Sequence, residues 1–158
     1  MLVWQAHRSK IRSLAFSADG RFLASTTGGS RTVNAWDPAT GRLVHKLTGN
    51  AQTGAGRGTV NSIAFAPDAP VLGAAMSRSV TVWWVDTWEL LPDLDCDHAH
   101  EIAFGPGNPP PLAASTATHV WLWADPVRSA QIVSAPDHRI PTGGNAASLH
   151  YSPDGKSL

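Results

Sequence analysis

A chain of 158 residues with 42% hydrophobic residues has the size and apolar content of one ordinary packed domain. Twelve basic residues balance twelve acidic ones without a basic run, which argues against nucleic acid or an anionic membrane as the main partner. No apolar stretch approaches the ~18 residues of a membrane helix, "MLVWQAHRSK" lacks the parts of a signal peptide, and Cys96 stands alone, a pattern that suits a reducing, cytoplasmic setting.

In chain order, "LVWQAH" reads as an edge strand leading into the first unit, with Trp4 twelve residues before Phe16. "SLAFSADGRFLAS" then encodes strand, turn, strand. Leu14-Ala15-Phe16 is apolar with an aromatic end, Asp19 can hydrogen-bond its own backbone, and Gly20 accepts a positive φ without a Cβ clash. "TVNAW" and "LVHKL" supply two more strands, and the loop "TGNAQTGAGRG" follows. The phrase returns as "SIAFAPDAPVLGA", followed by "VTVWW" and "ELLPD", where Pro92 indicates an edge position. A third copy runs "EIAFGPGNPPPLAAS", "HVWLW", "AQIVS", and a fourth begins in "SLHYSPDGKSL".

The aromatic that ends the first strand recurs at Phe16, Phe65, Phe104 and Tyr151, in steps of 49, 39 and 47. A Val-x-x-Trp phrase recurs at Trp36, Trp83 and Trp123, in steps of 47 and 40. Two landmarks with nearly the same period define four-stranded units a, b, c, d. The boundaries expected are a leading strand d over 1–6, units over 7–48, 49–94 and 95–134, and a partial fourth over 135–158. No helical periodicity of useful length is present.

"TVNAWDPATGRLVHKL", with Trp36-Asp37, and "AHRSKIRSLAFSADGRFLAS", with His7, resemble the repeats of the WD-repeat β-propeller family. The second unit places Trp84, and the third Ala124, where the family has Asp. The resemblance implies an all-β propeller segment of four-stranded antiparallel blades in an incomplete ring, expected to be a fragment of a larger propeller. It also implies a hydrogen-bonded network of His, Ser or Thr, Trp and Asp in each blade. Here the Asp position holds Ser30, Ser77 and Ala117, and only the first unit has a clear His. Stability is therefore expected to rest on inter-blade packing of Phe16, Phe65, Phe104, Trp36, Trp83 and Trp123. Burying one such side chain contributes about 1.5–3 kcal/mol, against about 0.5–1.5 kcal/mol for a net hydrogen bond.

Three stretches could carry chemistry or binding. In "DLDCDHAHE", Cys96, His98 and His100 fall at i, i+2 and i+4, which on a strand would share one face and could hold zinc with an open position; the alternative is an ordinary d–a loop. "GAGRG" at 54–58 lacks the following helix of a phosphate loop and reads as an inter-blade loop. Trp84 and Trp88 lie at the c–d hairpin, either as exposed binding anchors or packed on a neighbouring blade. Arg31 and Arg78 each stand five residues before the unit's Trp, on b–c loops, either as a pair that could grip an acidic partner or as ordinary solvated loop residues.

The reading that follows is a non-catalytic interaction scaffold. It needs no cofactor or metal, and it presents loops to a protein partner or to another domain of a parent chain. Self-association through open propeller edges is a further expectation. The alternative is a propeller enzyme or metal-binding protein using Cys96–His100.

Overall fold

The computed structural model describes residues 3–49, 58–128, 136–143 and 148–158. The first sheet is β1 (Ile11–Phe16), β2 (Leu23–Thr27), β3 (Thr32–Asp37) and β4 (Arg42–Thr48), antiparallel and in chain order. The second is β5 (Val60–Phe65), β6 (Val71–Met76), β7 (Ser79–Trp84), and a divided fourth strand, β8 (Glu89–Leu90) and β9 (Leu94–Asp95), both paired to β7. The third is β10 (Glu101–Phe104), β11 (Leu112–Ser115), β12 (His119–Trp123) and β13 (His138–Pro141). The second sheet sits between the others, with β5 against β1 on one side and β10 on the other. The described sheets do not close into a ring.

The repeated phrase folds as its chemistry requires. Gly20 takes φ +71° and its N–H donates to Ser17 O at 2.9 Å, while Asp19 Oδ1 accepts from Arg21 N at 3.0 Å. Ser17 Oγ bonds Asp19 and accepts from Phe22 N at 2.9 Å. The same set of bonds recurs at Ser152, Asp154, Gly155 and Ser157. In both places a serine hydroxyl and an Asp carboxylate hold the turn that starts strand b.

Phe16, Phe65 and Phe104 occupy equivalent positions, each ending its first strand and pairing with Leu23, Leu72 and Leu112. They are not equally buried, however. Phe104 lies in the joint between the second and third sheets, against Gly73, where a Cβ would come within 3.0 Å of its ring. Phe65 lies in the joint between the first and second. Phe16 is exposed, contrary to expectation, because each Phe faces the preceding sheet and no sheet precedes β1 among the described residues. Trp83 and Trp123 are fully buried in the same two joints. Trp36 is buried instead by the N-terminal segment: the Trp4 ring lies 6.5 Å and the His7 ring 5.8 Å from it, centroid to centroid.

Three strand assignments differ from expectation. Residues 3–7 form no strand, since a leading strand d needs a strand c to pair with, and Trp4 packs instead over Gly41 and Trp36. The fourth strand of the third sheet is β13, paired to β12 through Val120 and Ile140; the expected strand "AQIVS" lies outside the described residues. The fourth copy begins without strand pairing, although Leu149 is buried beside Ala103, Ala113 and Val120. Pro92 does mark an edge. It falls in the break between β8 and β9, where Asp93 accepts a 2.6 Å bond from Thr81 Oγ1 of β7.

Candidate partner-binding rim

Antiparallel order places the b–c turns and the entries into each strand a at one end of the sheets, and the a–b and c–d turns at the other. The first end is built from short polar turns. Ser30 Oγ accepts from Thr32 N at 3.0 Å, and Ser77 Oγ accepts from Thr59 N at 3.2 Å. In the third sheet Thr116 Oγ1 accepts from His119 N at 3.1 Å. Ser30 and Ser77, and Thr116 beside Ala117, thus close with hydroxyls the turns where the family has Asp.

Arg31 and Arg78 project from equivalent turns of adjacent sheets and are exposed. Among the described residues the ion pairs are those of Arg21, at the opposite end, with Asp19 and Asp86. Among the described residues neither rim guanidinium has a carboxylate within ion-pair distance. Arg78 also lines a recess of about 420 Å³ with Gly58, Thr59, Ser77, Asp97 and His98.

The cysteine–histidine cluster does not assemble. Cys96 points into the joint between the second and third sheets and is fully buried, whereas His98 and His100 are exposed. The expected strand face is absent because β9 ends at Asp95 and His98 takes φ +53°, which breaks the alternation. Burial, with Asp97 and Asp95 nearby, pushes the Cys96 thiol up to about 12, so a zinc-ligating thiolate is disfavoured there. No group of three metal-ligating side chains converges among the described residues. Residues 54–57 of "GAGRG" lie outside the described residues.

The two additional tryptophans are held in packing. Trp84 is half-buried against the joint between the second and third sheets. Trp88 packs across the other joint, edge-to-face with Phe22 at 5.0 Å and tilted over His45 at 4.8 Å, centroid to centroid. It does so at φ +57°, in the turn position that Gly41 occupies at φ +70° in the first sheet. Packing of Trp88 on a neighbouring blade is one of the two readings the sequence offers, but its partners Phe22 and His45 and the Arg21–Asp86 pair at 3.2 Å beside them have no sign in it. Both are contacts between units, for which spacing within one unit gives no signal.

The polar network survives in one sheet. Trp36 Nε1 donates to Ser25 Oγ at 2.7 Å, and His7 Nε2 shares a second 2.7 Å bond with the same oxygen. Strand pairing equates Ser25 with Ala74 and Ala114, facing Leu14, Ile63 and Ile102 respectively. Trp123 Nε1 is accordingly buried without a partner. A His–Ser–Trp chain beside a Trp-Asp corner, repeated four-stranded sheets and a recurring turn scheme are the features of WD repeats. The chain is similar to the WD-repeat family.

Residues 1–37 match the family model described as WD domain, G-beta repeat. An uncharacterized WD repeat-containing protein of Synechocystis is 37% identical over 62 residues, 39% of this chain and 16% of that protein. Protein tipD of Dictyostelium discoideum is 33% identical over 81 residues, 51% and 12% of the two chains. WD repeat-containing protein 90 of Homo sapiens is 28% identical over 138 residues, 82% of this chain but 8% of its own length. The chain thus spans a small part of these relatives. In fold, it resembles the computationally designed Ika4 protein (TM-score 0.67, 19% identity, 90% of this chain and 80% of that one). It also resembles Kuenenia stuttgartiensis hydrazine synthase (TM-score 0.71, 17% identity, 93% and 42%). The fold is that of a WD-repeat β-propeller segment with an incomplete ring, and WD-repeat proteins generally act as interaction scaffolds.

Proposed function

We propose that this WD-repeat segment is a non-catalytic, cytoplasmic interaction module whose b–c rim holds an acidic segment of a partner protein or of another domain of its parent chain. The observation that carries the reading is the pair Arg31 and Arg78: exposed, on equivalent turns of adjacent sheets, without carboxylate partners among the described residues. Guanidinium groups bind carboxylates bidentately. Burial of Cys96 removes the specific support for the metal or enzyme alternative.

The test is binding of an Asp/Glu-rich peptide against its Asn/Gln counterpart, measured at two salt concentrations. The acidic peptide should bind more tightly and weaken in salt. Substituting Arg31→Ala and Arg78→Ala together should cost on the order of tenfold, as two exposed ion pairs allow. Equal affinity for both peptides, or no effect of the double substitution, would sink the reading.

A further inference from the structure

The rim that carries Arg31 and Arg78 is tied together across units. Val60 N donates to Ser30 O at 2.8 Å, and Ser77 N donates to Thr59 O at 3.2 Å. The adjacent residues Thr59 and Val60 thus link the turn of Arg31 to the turn of Arg78. Asn61 Nδ2 then donates to Ala99 O at 2.8 Å, which joins the second unit to the loop that enters β10. The backbone is held by these bonds from one unit to the next, so the charges along the rim keep a fixed order.

That order changes sign past Arg78. Arg8, Lys10, Arg12 and Arg31 are exposed on the first unit, and Arg78 on the second. Gly28 N donates to Lys10 O at 3.3 Å, which sets the entry to β1 beside the turn of Arg31. The next exposed charges are carboxylates, Asp95 at the end of β9 and Asp97 in the loop after it. The change of sign falls within the recess of about 420 Å³, which Arg78 lines from one unit and Asp97 and His98 from the connection to the next. The hydroxyls there are already engaged, since Ser77 Oγ and Thr59 Oγ1 bond each other at 3.0 Å. Arg78 and Asp97 form no ion pair with each other or with any other described residue. His98 holds φ +53°, a region in which a residue with a Cβ is strained. The loop so turned sends Cys96 into the joint and leaves Asp97 on the recess wall. A cation and a carboxylate, both without partners and lining one recess, fit a ligand that brings one charge of each sign.

We infer that the acidic segment gripped by Arg31 and Arg78 ends in a basic residue, whose cationic head enters this recess against Asp97. The inference rests on the acidic-partner reading of the rim and adds an order to it: carboxylates over the first two units, then a cation at the recess. The sign of one effect separates the two. With the rim cations alone, a lysine in the partner reduces the net attraction and weakens binding. With Asp97 on the recess wall, a lysine at the correct end of the segment makes an additional ion pair and tightens binding, while a lysine in the middle of the acidic run still weakens it.

Fluorescence anisotropy of labelled peptides on the full chain tests this. The probes are a run of glutamates, the same run with lysine at either end, with glutamine at either end, and with lysine in the middle. Lysine at one of the two ends should bind about threefold more tightly than glutamine at that end, as one exposed ion pair allows. Lysine in the middle should bind less tightly than the glutamate run. In Asp97→Asn the advantage of the end lysine should vanish, and in Asp97→Lys glutamate should be preferred to lysine at that end. Asp97 is exposed, so both variants should keep the wild-type circular dichroism spectrum. An end lysine that gains nothing at either end, or a gain that survives Asp97→Asn, overturns the inference. If the glutamate run binds through Arg31 and Arg78 without that gain, the rim reading stands and the ordered segment alone fails. If no glutamate run binds, both fail.

Discussion

Replacing Ser25 with Ala probes the one polar network that the described sheets retain. Ser25 is fully buried, and its hydroxyl oxygen holds Trp36 Nε1 and His7 Nε2, each at 2.7 Å. The substitution leaves the Trp36 N–H buried and unpaired, at a cost of about 1–3 kcal/mol. His7 is only partly buried and regains water, so it adds little. A loss near 2 kcal/mol corresponds to a Tm drop of about 4–8 °C for a chain of this size. Urea unfolding followed by tryptophan fluorescence measures it, and Trp36→Phe supplies the second arm of a cycle. Once Trp36→Phe has removed the N–H donor, the cost of Ser25→Ala should fall to a few tenths of a kcal/mol, about the error of such a cycle. A Ser25→Ala midpoint equal to wild type, or an equal cost with and without Trp36→Phe, would show that the buried bond is not what holds this sheet. The converse change, Ala114→Ser, offers the orphaned Trp123 N–H an acceptor and should stabilise by about 0.5–1.5 kcal/mol.

Three further outcomes follow from the same geometry. Burial holds the His7 imidazole below its ordinary 6.5, so the unfolded chain takes up that proton more readily than the folded one. Stability from this group is complete above pH 6.5 and is lost as pH falls toward the depressed folded value; His7→Gln should flatten that part of the urea-midpoint profile. Trp88→Ala should destabilise by about 1–2 kcal/mol through loss of the ring contacts with Phe22 and His45. Trp88→Gly should be about 1 kcal/mol more stable than Trp88→Ala, because the turn needs φ +57°. Cys96, buried and with its thiol pushed up to about 12, should resist thiol-reactive dye until denaturant opens the chain, with or without added zinc.

Local chemistry was legible wherever a few adjacent residues carry the constraint. The Ser-x-Asp-Gly turn, the edge position of Pro92, and the equivalent positions of the three Phe residues all follow from neighbours in sequence or from a fixed period. The candidate rim was legible to the same degree, since Arg31 and Arg78 stand at a constant offset from Trp36 and Trp83. The spacing of Cys96, His98 and His100 misled, because alternation holds only while the backbone stays extended, and His98 turns at a positive φ.

Period and turn residues alone established that this chain folds as successive antiparallel sheets, because hydrogen bonds within a sheet join segments close in sequence, and the resemblance added that the sheets are of the WD-repeat kind. Which side of each sheet is covered was decided only in three dimensions. Phe16 and Phe104 sit in the same local phrase, yet one is bare and the other buried, since burial depends on a neighbouring sheet some forty to fifty residues away. The same holds for Trp88, whose partners Phe22 and His45 belong to another unit. Packing between sheets is non-local and non-directional, and a repeating sequence cannot say where the repetition meets another surface.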